Sequence, residues 1–578
     1  MIFKKKPKKQ PKKQWVHLLL ALSASLAAPL AWSAPSNEEL KIGIAQEFES
    51  LNPVIATMTA SRYMGYLTGR PPTILTPDGK WVPALLKTMP TLENKLAKII
   101  TNPDGSKGLT STWEIHPKAT WGDGTPVTCK DIKFTTEVIL NPNVSIGERA
   151  SNENIKEITW DEKTPKKCEI SFKKARWDFA RGLFDGILPE HIEGPIYAKY
   201  GSQKEGYEKN TAYTTNPTNP GLYNGPYVIS ELKLGSHIAF SPNPHFYGKA
   251  PQIKKIIFKV IPNTATLEAN LRSGTIDMIA PLGLAFDQAL AFQKRIKSDN
   301  LPYRLIFEEG ITYEHIDLNL DNPFLKDLKV RQALIYALNR DEISKALFEG
   351  KQKPAIHNLS PLDPGFTKDP KEIKIYNYSK RDASKLLDEA GWKMGSDGYR
   401  SKDGKRLSLQ FMTTAGNKTR ETVQTMIQSQ LKAVGVEVII KNEPARVFFG
   451  ETLKKRKFGA MAMYAWMSNP EQTPRSTYHS EMIPTEKNGW SGQNQMDWVN
   501  AKVDKLVDQY EQEFNQAKRN KIMHELLAEY TQDAPVIPLY YRSENVTVPS
   551  NLDNYRLSGH MYYETTEAEN WSLGTKMR

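Results

Sequence analysis

Few side chains in this chain stand where they could make or break a bond. Ten histidines and two cysteines are scattered singly through 578 residues, and lone histidines are more often surface or core residues than ligands. There is no GxSxG elbow, no HExxH and no CxxC, so the spacings of a hydrolase nucleophile, a zinc protease or a thiol redox centre are missing. His524-Glu525 opens like a zinc motif, but Ala528 stands where the second histidine is needed. Asp317, Asn319 and Asp321 offer oxygens at alternate positions without the glycine and closing glutamate of a calcium loop. Set among Ile316, Leu318 and Leu320, they have the period of a strand. The turn Trp121-Gly122-Asp123-Gly124 fits neither an EF-hand nor a phosphate loop. No metal and no cofactor is therefore expected. An enzyme would need a nucleophile and a base brought together only by the fold.

Binding chemistry concentrates over 461–498. Met461, Met463 and Ala465 alternate as a strand that enters a Pro/Asn-rich loop, the kind of place where pocket residues sit. The elements that must hold such a loop are clearest over 327–350. Val330, Leu334, Ala337 and Leu338 form one apolar helical stripe, and Asp327 can cap its start. Asn339 with Glu342 opens a second helix whose buried face is Ile343 and Leu347, and Gly350 suits its end.

At 578 residues the chain is too long for one compact core, so two or three lobes are expected. The formal charge of +13 suggests nucleic acid, but seven lysines lie in the first thirteen residues and no acid precedes Glu38. Removing 33 residues with those lysines leaves +6 on 545 residues, with no basic run interleaved with aromatics, so nucleic acid is not an expected partner. The lysine-rich start, the apolar stretch from Val16 and Ala31-Trp32-Ser33 make a secretory signal peptide over 1–33; an uncleaved anchor is the competing reading. Neither cysteine follows that apolar stretch, so no lipid-anchored N-terminal cysteine is expected. In an exported chain Cys129 and Cys168 can form one disulfide or stay two buried thiols, and the disulfide is the expectation.

A strand is expected over 40–44, then a loop and a helix from about Ala60. Another strand follows around 111–116, and Thr128 with Asp131 caps a helix. Strands over 155–160 and 168–172 form a hairpin, 207–223 reads as a long polar loop, and 256–261 is a buried strand before a helix over 265–271. Helices are expected over 378–392, 421–433, 501–510 and 518–530, with a strand over 436–441 and hairpin turns at Asp397-Gly398 and Asp403-Gly404.

The wording of several of these stretches is distinctive. "KVRQALIYALNRDEI" after "NPFLKD" resembles the VRqAlayAidR stretch of family 5 extracellular solute-binding proteins, receptors of peptide and nickel ABC importers. Leu51-Asn52-Pro53, "WGDGTPVT", "ILPEHI", Asn224-Gly225-Pro226-Tyr227, "LRSGTIDM" and "APVIPLYYRSE" continue the match in order. The resemblance implies an α/β, periplasmic-binding-protein-like two-lobed fold with an additional domain and a hinge. Lobe I would be 36–76, 225–312 and 533–578, the additional domain 77–224, and lobe III 313–532. It further implies a monomeric, periplasmic receptor, not an enzyme, that captures a short peptide between lobes I and III for a membrane-embedded ABC permease. A nickel complex, a sugar, or a secreted hydrolase without a local motif are the alternatives. In peptide-binding relatives an aspartate after a strand-end tryptophan holds the ligand ammonium. Trp466 matches the tryptophan, but Asn469 stands at the aspartate's place and brings no charge. Tyr464, Thr57 and Tyr541 complete the ligand-binding candidates.

Overall fold

A computed structural model of the chain describes residues 38–574, except 47, 49, 57, 145, 147, 148, 262, 445, 446, 467–469, 489 and 491. The signal segment, Thr57 and Asn469 lie outside the described residues. The organising element is a ten-stranded sheet. Its strands in chain order are β1 (Glu39–Ile44), β2 (Tyr227–Lys233), β3 (His237–Pro242), β4 (Lys255–Val260), β5 (Met278–Ile279), β6 (Tyr303–Leu318), β7 (Ser408–Met412), β8 (Glu437–Ile440), β9 (Met461–Trp466) and β10 (Val536–Pro549). Across the sheet they run β8-β7-β9-β6-β10-β5-β1-β4-β3-β2.

Two strands carry this arrangement. β6 has 16 residues and β10 has 14, and they pair antiparallel from Tyr303↔Pro549 to Asp317↔Val536. The register breaks between Glu309 and Tyr313. On one side of the break β10 also pairs β5, at Ile279↔Thr547, and the core there is built on Leu40, Tyr63, Phe258 and Val546. On the other side β6 pairs β9, and the core is built on Ile316, Leu334, Phe411 and Ile537. Beyond the break every residue of β6 from Gly310 is buried, because both faces of the sheet are covered.

The opening helices form where their spacing put them, Leu328–Tyr336 and Arg340–Phe348, with Asp327 accepting from the Lys329 N–H and Asn339 from the Glu342 N–H. The second ends on Glu349 and Gly350, both at positive φ. Apolar periodicity does not explain the two arginines of this stretch. The buried Arg331 donates to the carbonyls of Leu325, Lys326 and Asp533, and Arg340 donates to those of Ala355, Tyr376 and Pro538. Each ties a helix to backbone carbonyls of other segments.

A separate antiparallel sheet of four strands takes up Ala97–Thr101, Lys107–Glu114, Lys167–Phe172 and Ile155–Trp160 in that spatial order. Helix Cys129–Leu140 packs beside it, with the Thr128 N–H donating to the Asp131 carboxylate at 2.8 Å. Cys129 and Cys168 are joined by a disulfide, their Cα atoms 5.5 Å apart. The expected loop over 207–223 instead contains short helices at Gly206–Asn210, Ala212–Thr215 and Pro220–Leu222. Its polar composition hid them because they are held by capping side chains such as Thr211 and Asn219 and by the buried Glu193, which accepts from the Thr211 hydroxyl and the Ala212 N–H.

After the strand Lys167–Phe172 the chain sends out a segment that packs against residues 471, 510 and 519. The Trp177 ring is met by two guanidiniums, Arg519 at 4.0 Å and Arg181 at 4.9 Å, and by Tyr510 edge-on. Glu471 accepts from both arginines, at 2.5 Å from Arg181 and 3.1 Å from Arg519, and its own N–H donates to Asp363 at 2.7 Å. The four-stranded unit is thereby clasped onto the half of the molecule that carries β9.

Candidate functional site

The period of a strand assembles the site. Antiparallel pairing of β6 with β9 sets Tyr313 opposite Trp466, His315 opposite Tyr464 and Asp317 opposite Ala462. Residues two apart share a face, so Tyr313, His315, Asp317, Tyr464 and Trp466 gather on one side of the sheet. The intervening residues turn to the other side, where Glu314 accepts from Arg420 at 2.5 Å and lies 3.2 Å from Arg542. Burial opposes ionisation there, but Arg542 and Arg420 hold the Glu314 carboxyl below its ordinary value.

On the first face the polar groups interlock. The Tyr464 hydroxyl donates to Asp317 Oδ2 at 2.5 Å, and His315 Nε2 lies 3.3 Å from Asp317 Oδ1. Burial and the neighbouring Asp317 push the Tyr464 hydroxyl well above its ordinary range, which keeps it a neutral donor. The His315 ring stacks on Tyr313, centroids 4.6 Å apart, and meets the edge of Tyr464 at 4.3 Å. These side chains wall a pocket of about 640 Å³ of empty space, part of it open to solvent. Residues 472–474, the short helix Arg475–Tyr478, Tyr530 and Asn358 with Leu359 contribute to its other walls.

Of the expected ligand-binding residues, the structure places Tyr464 and Trp466 in this pocket. Tyr541 packs beside it with Tyr313 and Trp466, but its hydroxyl is taken up by the 356–357 backbone, accepting from the Ile356 N–H at 3.4 Å and donating to the His357 carbonyl at 3.1 Å. Thr57 and Asn469 are not among the described residues. Sequence reasoning missed His315, Tyr313 and Tyr478. It placed Asp317 on a strand, and only the register with β9 reveals which groups share its face. Among the described residues no group of three or more His, Cys, Asp or Glu is placed to hold a metal ion.

A second pocket of about 520 Å³ lies in the other half, where Arg62 meets Asp185 at 2.8 Å beside Tyr66 and Asn224.

Residues 93–481 match the family model of bacterial extracellular solute-binding proteins, family 5. The chain is 28% identical over 495 residues to the oligopeptide-binding protein AppA of Bacillus subtilis (strain 168), covering 85% of each. Among solved structures it is similar to the oligopeptide-binding protein of Thermus thermophilus complexed with a pentapeptide, with TM-score 0.72 and 26% identity over 93% of this chain and 96% of that one. It also shares the fold of NikZ from Campylobacter jejuni in complex with Ni(L-His), with TM-score 0.70 and 24% identity over 93% of this chain and all of that one (100%).

Proposed function

The chain belongs to the bacterial extracellular solute-binding proteins of family 5, and from that membership we propose that it is the exported receptor of an ABC importer, capturing a short peptide and delivering it to a membrane permease. The observation that carries the peptide reading is the Trp466 strand end. β9 delivers Trp466 and Tyr464 to a pocket whose walls are aromatic rings with a few fixed polar groups. Likeness to oligopeptide-binding relatives supports the same ligand class.

On this reading 36–76, 225–312 and 533–578 form lobe I, 77–224 the additional domain and 313–532 lobe III. Two main cores on either side of the β6–β10 register break support two lobes, though the first also takes in Phe134, Leu188 and Tyr223 from 77–224 and the second takes in Ile537 and Tyr540 from 533–578; the break is where a hinge would flex. Ligand touching both lobes favours the closed state by its differential affinity for that state. The segment 1–33 is removed on export, and the mature protein acts as a periplasmic monomer without enzymatic activity. No helix among the described residues is long and apolar enough to cross a membrane, which is consistent with this placement.

The test is to pass a peptide-rich cell extract over the purified mature protein and identify what is retained by mass spectrometry. Retained short peptides, confirmed by calorimetry, are expected. Retention of a nickel chelate or a sugar, or turnover of a bound peptide, would replace this reading.

A further inference from the structure

One wall of the pocket is tied down at two carboxylates. Gln472, Thr473 and Pro474 line it, and the short helix Arg475–Tyr478 continues it. Glu471 stands directly before Gln472 in the chain. Glu511 accepts from the Thr473 hydroxyl at 3.0 Å and from Arg475 Nε at 3.0 and 3.1 Å. Glu471 has a φ of +59°, a left-handed conformation that a side chain rarely adopts unless its surroundings enforce it. What enforces it is the Asp363 carboxylate on its N–H and two guanidiniums on its own carboxylate.

Both acids are also gripped by the segment that leaves the four-stranded sheet. Arg181 donates to Glu471 Oε2 at 2.5 Å. The Trp177 N–H donates to the Glu511 carbonyl at 3.3 Å, and Arg176 Nη1 lies 3.9 Å from Glu511 Oε1. None of residues 176–181 lines the pocket, yet they hold the two residues on which its wall rests. Arg519 belongs to the half that carries β9, where it also donates to the carbonyls of Glu513 and Phe514. Arg181 is the partner that arrives from the other unit, with 26% of its side chain exposed. Without it Glu471 keeps the Arg519 guanidinium and is not left a bare buried charge, so its loss reports on position before folding.

We propose that segment 176–181 is a positioning element for ligand: Arg181 fixes the wall 472–478 through Glu471, and ligand pressed against that wall holds the segment in return. Coupling of this kind is reciprocal. The inference rests on the peptide-receptor reading and gives the four-stranded unit a part in binding, although it contributes no pocket wall there.

Amide hydrogen exchange on the whole mature protein tests it, with a randomised pool of three- to five-residue peptides as the probe. Wild type, Arg181→Gln and Arg181→Lys are compared, free and with the pool. In the free protein Arg181→Gln should speed exchange across 471–478 by about tenfold. Arg181→Lys keeps the charge and should return it to within roughly threefold of wild type. In the wild type the pool should slow exchange at 471–478 and also at 174–181. In Arg181→Gln the second effect should vanish, and half-saturation should need about tenfold more peptide. Unchanged exchange at 471–478 in Arg181→Gln overturns the proposal, as does a lysine variant that exchanges as fast as the glutamine one. Should thermal melting show Arg181→Gln unfolded, the wild type decides alone: slowing at both segments supports the proposal, and slowing that leaves 174–181 untouched overturns it. Wild type that the pool slows nowhere overturns the receptor reading together with this one.

Discussion

Trp466 ends β9 half-buried, lining the pocket and packing with Tyr313 and Tyr541. Trp466→Ala should weaken ligand binding by about 1–3 kcal/mol through lost apolar contact, read as the shift in Kd by calorimetry; an unchanged Kd would make it a core residue only. Glu564 gives a prediction of a different kind. It is fully buried and accepts from the hydroxyls of Tyr63 and Tyr555. Burial pushes its carboxyl up from 4.5 to about 7. The unfolded chain releases this proton first, so ionisation favours unfolding. The native state should lose stability from this group as pH rises from about 4.5 through about 7, by on the order of 3 kcal/mol. Melting temperature against pH should be flatter in Glu564→Gln over that window, and parallel curves would remove the assignment. Neither Glu564 nor His315 was legible as special in the sequence. Composition and periodicity describe a residue's own segment, whereas these two are defined by side chains arriving from distant segments.

At the scale of elements, caps and stripes were legible, and of the longest strand only its end at 316–318 was. Asp327, Asn339 and Thr128 mark helix starts with their own side chains, and such local chemistry survives in the sequence. β6 reads poorly because Arg304, Glu308, Glu309, Glu314 and His315 interrupt any apolar alternation. Arg304 and Glu308 face solvent, and the buried Glu314 is tolerated because another element brings it a partner, Arg420. The hairpin of the four-stranded sheet was visible, and its pairing places Cys168 opposite Trp113 in the neighbouring strand. Helix Cys129–Leu140 is then fastened to this sheet by the disulfide across 39 residues of chain. Closing a loop of that size typically contributes about 2–4 kcal/mol. Cys129→Ser with Cys168→Ser should lower the melting temperature accordingly, and reductant should do the same to the wild type. Two thiols that label without reductant would show that no bridge forms.

Across the whole molecule, the Trp177 clasp joins the four-stranded unit to the half that carries the pocket, through Arg519, Arg181 and Glu471. Trp177→Ala removes two cation–ring contacts worth about 0.5–2 kcal/mol each. It should shift the ligand-free protein toward an open form, with a larger radius of gyration in small-angle scattering and a Kd raised roughly tenfold by the smaller competent fraction. Unchanged scattering and affinity would make the clasp incidental to closure. The two-lobed expectation came from family wording spread along the chain, since no single segment shows that a lobe is assembled from three. The sheet order adds a consequence for synthesis. β10, residues 536–549, stands between β5 and β6 and connects the two halves of the sheet. It is also the last strand of that sheet to be made. A chain emerging amino end first can build β1 to β5 early, but it must hold the β5 edge uncovered until nearly all of the protein exists. Throughout that interval the oldest part of the molecule is waiting for the youngest, with an open strand edge exposed to other chains.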